Sequence, residues 1–305
     1  MAGITAPLLR HDKASLSGIW TRSTAFLSPV VGDLLGRIGL GLILLFAFLY
    51  LFGPALAPYE PFEVSYLPGG TVDRSASPSV FHLFGTNSLG QDIFSQVLHG
   101  ARITITVGIL SAIVSALLGT NLGLIAGYFG GKIDAVLMRL TDVAYGIPFL
   151  PFALILVSVV GASNANIIVV ITLFMWRNTA RVVRAQVLSL RERPFVLAAR
   201  ASGASSLQIL YSEIAPGILP LALLYVGFGV AWGVLVESSL SFLGFGDPTT
   251  TSWGQILSAA FRAGATRYAW WWVVPPGGAI ALLIISVFLV VRGFEEALNP
   301  RLRRL

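Results

Sequence analysis

Hydrolysis, group transfer and metal chemistry each need a few residue types at defined spacing, and this chain supplies few of them. His11, His82 and His99 are the only histidines and none belongs to an H-E-x-x-H pair; there is no cysteine to form a thiolate site or a disulfide. A phosphate-cradling loop requires G-x-x-x-x-G-K-[ST]. The nearest stretch, AGYFGGKI, has Ala126 in the first glycine position and Ile133 where the Mg-binding hydroxyl belongs. The chain is therefore not expected to be an enzyme, to bind a metal or cofactor, or to hydrolyse ATP by itself.

The residues whose types and spacing do suggest work lie in RERPFVLAARASGASSLQILYSEIAPGILP, which begins at Arg191. Val196, Ala199, Gly203, Leu207, Leu210 and Ile214 recur at helical spacing on an otherwise polar segment. Pro194 suits a first helical position, Gly203 interrupts the pattern, and Ser205 with Gln208 matches a capping box, so two short helices meeting at a turn are expected. The small residues Ala198, Ala199 and Gly203 leave a shallow groove for a cytoplasmic partner's side chains. A second pattern, Gly119, Gly123, Gly127 and Gly131 at four-residue spacing, suits close helix packing in lipid.

The elements that must carry these residues follow from composition. Of 305 residues 55% are hydrophobic and 11% charged, whereas soluble domains carry about 25% charged residues. Apolar runs at 38–56, 103–128, 133–160, 166–183, 216–236 and 271–291 predict an all-α polytopic membrane protein with six transmembrane helices. The first run lies too far from Met1 for a cleaved signal and reads as a retained anchor. The fourth has a short uninterrupted core, IIVVITLFMW, before Arg177. Keeping it leaves only Arg74, Arg102, Arg262 and Arg267 of the 20 basic residues outside, which satisfies the positive-inside bias and puts both termini in the cytoplasm. The net charge of +6 is thus a topology signal, with lipid and not nucleic acid as the expected partner.

The resulting division is a cytoplasmic tail (1–37), a first span (38–57), an extracytoplasmic segment (58–102) and a five-helix core (103–305) containing the polar loop 191–215. In the outer segment Ile93, Phe94, Val97 and Leu98 predict an interfacial helix lying on the membrane. Trp270, Trp271 and Trp272 suit the headgroup level. Arg139 and Asp142 are placed to pair on one helix face; Glu237 is expected at the outer interface; Arg177, Arg181 and Arg184 are expected to snorkel where the fourth span leaves the membrane. Neither charges at mid-membrane nor interrupted helices are read from the spans, which disfavours a secondary transporter.

LAARASG, with Pro216 thirteen residues beyond Gly203, resembles the EAA loop of ATP-binding-cassette importer permeases, although Leu197 replaces the signature glutamate and Ala215 precedes the proline in place of leucine. FGTNSLGQDIFSQVLHGAR, AGYFGGKIDAVLMRLTD, ESSLSFLGFG, SWGQIL and ALNPRLR extend the likeness, in order, to the dipeptide, oligopeptide and nickel permease family, nearest its second permease subunit. The resemblance implies a type I ABC importer permease fold in a bacterial or archaeal cytoplasmic membrane, pairing with a homologous permease. It further implies two ATPase subunits that carry ATP and Mg, and an extracytoplasmic solute-binding protein. Coupling to the ATPases would fall to Phe195, Leu197, Ala198, Ala199, Gly203, Ala204, Ser205, Leu207, Leu210, Ile214 and Pro216. Short peptides are the expected cargo, with nickel chelates, glutathione or small oligosaccharides as alternatives; substrate-binding residues are not identifiable.

Overall fold

The structure, a computed structural model, describes residues 30–298. The start of the cytoplasmic tail and the last basic residues lie outside the described residues. The long helices are α1 (Leu34–Leu56), α2 (Ile93–Phe129), α3 (Gly131–Gly146), α4 (Phe149–Val160) and α5 (Asn164–Leu190). They are followed by the short α6 (Pro194–Ala201), the long α7 (Ser206–Phe245), α8 (Trp253–Arg262) and α9 (Trp270–Leu298). Five of these are long and apolar enough to cross a membrane, and the bent pair α3 and α4 makes a sixth span.

α2 is the central rod. It begins where the Asp92 side chain accepts from Ser95 N at 2.7 Å and ends at Gly130, whose φ of 64° an ordinary residue rarely adopts. Its 37 residues extend about 55 Å, well beyond a hydrocarbon core of about 30 Å. The separate interfacial helix expected before residue 103 is therefore the outer end of α2. Ile93 and Leu98 are buried in the protein, because the outer segment and α8 cover the stripe that the sequence offered to lipid.

The third span is not straight. α3 and α4 meet at 90°, where Ile147 takes an extended conformation (φ −87°, ψ 122°) ahead of Pro148. Proline disfavours the helical region for the residue before it, and that accounts for the break.

α5 and α7 pack along α2, while α1 and α9 pair with each other and α9 also packs on α7. At the end of the bundle where α2 begins, residues 57–92 form a cap held by two isolated antiparallel bridges, Tyr66 to Val72 and Thr86 to Asp92. His82 Nδ1 lies 2.9 Å from Asp92 Oδ1, both side chains buried, and ties the cap to the start of α2. α8 starts with a complete capping box between Ser252 and Gln255. Trp253 fixes it to α2 by donating from Nε1 to Val97 O at 2.9 Å. Trp272 is also fully buried, Trp271 is half-buried, and only Trp270 remains exposed. The tryptophan trio is therefore divided between core and surface, because the chain turns from α8 into α9 there.

Candidate coupling surface and membrane-embedded cluster

After α5 the chain turns at Arg191, which donates to Gly127 O at 2.9 Å and pins the turn to the inner end of α2. α6 opens with Pro194 and closes at a turn where Gly203 has φ 82°. Ser205 caps the next helix, accepting from Gln208 N at 3.3 Å. The expected glycine-centred turn between two helices is present, but the second helix is not short. It continues through a wider π turn (Ile209–Ile214) directly into the membrane. That turn falls just ahead of Pro216, which has no N–H to give to the ladder.

The apolar stripe divides between two roles. Val196, Leu210 and Ile214 are fully buried against Leu124, Val183, Val187 and Ile218 of the same chain. Leu210 and Ile214, expected to face a partner, instead anchor the loop to the membrane helices. Periodicity marks the covered face of a helix without saying which molecule covers it. Ala199 and Ala204 are half-buried, whereas Ala198, Gly203, Ser205 and Pro216 are exposed. Phe195, Leu197 and Leu207 are 46%, 47% and 62% exposed, a concentration of large apolar side chains on the cytoplasmic end.

Three of the four glycines lie in the α2–α5 seam. A β-carbon at Gly119 would stand 2.4 Å from Trp176 O, at Gly123 2.6 Å from Ala180 O, and at Gly127 2.7 Å from Val187 Cβ. The close approach serves packing within the subunit. Gly131 does not belong to it: nothing lies within 4 Å of its β position, and its φ of 54° fits the α2–α3 turn instead.

α5 runs beyond the expected span, so Arg177 becomes the middle residue of a 27-residue helix (Asn164–Leu190). Its guanidinium donates to Ala144 O and lies 4.6 Å from the centre of the Tyr145 ring. Arg181 lies 4.3 Å from the same ring and pairs with Asp142 at 2.6 Å. The Tyr145 hydroxyl donates to Asn178 Oδ1. One turn further in, Arg184 bonds both carboxylate oxygens of Asp134. The snorkelling expectation gives way to a basic row that faces α3, and the expected Arg139–Asp142 pair gives way to Arg181–Asp142. The bend after Gly146 lays α3 across α5, so the nearest cation comes from another helix. An interrupted helix is thus present, and the arginine row lies along a helix long and apolar enough to cross a membrane.

Beside this cluster is a cavity of about 440 Å³ lined by Ser115, Asn178, Thr179, Tyr225 and Trp232 among others. Glu237, near the end of α7, is fully buried within the protein, with Ser241 Oγ donating to it at 2.7 Å and Ser238 Oγ at 3.3 Å. Helical arithmetic placed its height along α7 but could not show that α8 closes over it. Among the described residues no group of three or more His, Asp or Glu side chains is arranged to hold a metal.

The family model for the inner membrane component of binding-protein-dependent transport systems matches residues 119–304. The chain belongs to this family. Curated relatives include the Bacillus subtilis dipeptide transport permease DppC, 32% identical over 88% of this chain and 83% of the relative. The oligopeptide permease OppC of the same organism is 33% identical over 88% and 87%. GsiD, a glutathione transport permease of Pectobacterium atrosepticum, is 34% identical over 74% and 75%. A solved inward-facing structure of the methionine ABC transporter MetNI has the same fold, with a TM-score of 0.50 at 20% identity, covering 67% of this chain and 95% of that one. The transport family and the multi-pass helices make this chain an inner-membrane permease component of an ABC importer.

Proposed function

We propose that this permease forms half of the translocation pathway of an ATP-driven importer of short peptides. A homologous permease completes the pathway, two ATPase subunits carrying ATP and Mg supply the work, and an extracytoplasmic binding protein delivers the cargo. Both termini are cytoplasmic. The peptide assignment rests on the dipeptide and oligopeptide permeases to which the chain is similar along most of its length.

The observation that carries the coupling role is the two-sided build of residues 194–214. Val196, Leu210 and Ile214 lock the loop onto α2 and α5, while Phe195, Leu197 and Leu207 keep about half or more of their surface exposed. A push on the exposed side is transmitted to the membrane helices because the buried side is close-packed. α7 continues the loop without a break, so displacement of Leu207 is displacement of a span. Ala198, Ala199, Ala204 and Ser205 shape the entry for the ATPase surface, and Pro216 marks where the coupling helix enters the membrane.

Gly203→Trp tests this. Nothing lies within 4 Å of the β position, so the indole would project from the coupling face, and φ of 82° strains any side chain there. The subunit should reach the membrane at normal level while transport collapses and binding-protein stimulation of ATP hydrolysis is lost. Gly203→Asn, which tolerates left-handed backbone, should retain most activity. Wild-type transport and stimulation in the tryptophan variant would refute the coupling role.

A further inference from the structure

We infer that Arg177, with Arg181 and Asn178 around Tyr145, is an anion-recognising station in the translocation pathway that receives the carboxylate of the passing peptide. This rests on the peptide-import reading and adds to it a residue-level cargo contact. The first observation is depth. Arg177 is the central residue of α5, about 20 Å from either end of a helix long and apolar enough to cross a membrane, and a guanidinium facing hydrocarbon in such a span is strongly disfavoured. Arg181 and Asp142 are nonetheless 48% and 56% exposed in their side chains. A half-open ionic face at this level must look onto water or protein.

The second observation is spare bonding capacity. Arg184 spends itself on both oxygens of Asp134, as a structural clamp does. Arg177 does not: one nitrogen serves Ala144 O, while its buried Nε finds no partner among the described residues. Two arginines against the single carboxylate of Asp142 leave a net positive charge around Tyr145. The aromatic ring holds both guanidinium planes by cation–π contact, which pre-orients their donors for a planar carboxylate.

The third observation is space. The 440 Å³ cavity is lined by Asn178, whose Oδ1 accepts from Tyr145, and by Ser115, whose hydroxyl also lacks a partner among the described residues. Tyr225 and Trp232 add apolar surface with polar edges. A charged carboxylate end beside the arginines and a side chain against the aromatic wall would match this lining.

The test uses the complete importer in proteoliposomes with saturating binding protein and a labelled dipeptide bearing a free carboxylate, comparing wild type with Arg177→Gln, Arg177→Lys and Arg184→Gln. In Arg177→Gln the peptide moved per ATP hydrolysed should fall about tenfold, the scale of losing a charge-assisted hydrogen bond. Lysine should recover part of that ratio, and Arg184→Gln should lower uptake and ATP hydrolysis together. The inference is overturned if Arg177→Gln keeps the wild-type ratio. It is equally overturned if uptake and hydrolysis fall in step, as for a clamp, or if the glutamine variant loses its partner permease on purification, which would assign Arg177 to the subunit interface. A wild-type complex that moves no peptide would instead refute the peptide reading, and this inference with it.

Discussion

Asp247, just beyond the outer end of α7, accepts from Thr249 Oγ1 at 2.6 Å, from Thr249 N at 3.0 Å and from Asn164 N at 3.4 Å. The Thr249 hydroxyl foremost, against a smaller desolvation effect, holds its carboxyl below the ordinary 3.8. Because the folded value is depressed, the stabilisation is fully present above the unfolded value and disappears as pH falls through the folded one. Asp247→Asn should therefore lower thermal stability of the detergent-solubilised subunit by under about 1 kcal/mol, equally at any pH between about 5 and 8. The difference from wild type should vanish below the depressed value. A difference that already shrinks near neutral pH would contradict this account. Thr249 is a local partner two residues on, whereas Asn164 comes from the start of α5, 83 residues away in sequence, so local spacing could not announce it. The same holds for Asp142, which lies beside Arg139 in sequence but finds Arg181 in space.

The α2–α5 seam shows what a four-residue glycine repeat does for two rods. Each absent side chain lets the α5 backbone or a valine branch of α5 occupy the position where a β-carbon would stand. Helix association in lipid depends on such contact, because lipid tails are as apolar as the side chains they would replace. Gly123→Val should force the rods apart, cost about 1–3 kcal/mol or more by overpacking, and lower the melting temperature of the purified subunit. Gly131→Ala, with open space at its β position, should cost only the backbone strain of about 1–2 kcal/mol. If Gly123→Val melts with wild type, the seam is looser than its geometry indicates. Glycine spacing predicted this packing well, yet it could not separate Gly131, because a turn glycine and a packing glycine read alike.

The whole subunit presents two unlike ends. Outside, the cap of residues 57–92 exposes Val80 and Phe81 at 88% and 75%, and a polar groove of about 300 Å³ runs between it and the 244–262 segment. At the opposite end, Phe195, Leu197 and Leu207 are exposed apolar groups of the 194–214 segment. In the assembled importer, photo-crosslinkers at Val80 or Phe81 should capture the binding protein, and those at Leu197 or Leu207 an ATPase subunit. Mass spectrometry of the adducts reads the result; capture of the ATPase from the outer cap would invert the topology.

The run of apolar residues and the local spacing were enough to establish the membrane class, the apolar helices and the glycine-centred turn between two helices. Those properties follow from transfer free energy and local periodicity, which act along the chain. Folding in three dimensions was needed to bend the third span at Pro148, to bury Leu210, Ile214, Trp272 and Glu237, and to bring Arg177 and Arg181 onto Tyr145. Each of these outcomes depends on which distant segment covers a given face. A helical stripe records that a face is covered, but the identity of the cover is set by packing between helices far apart in sequence.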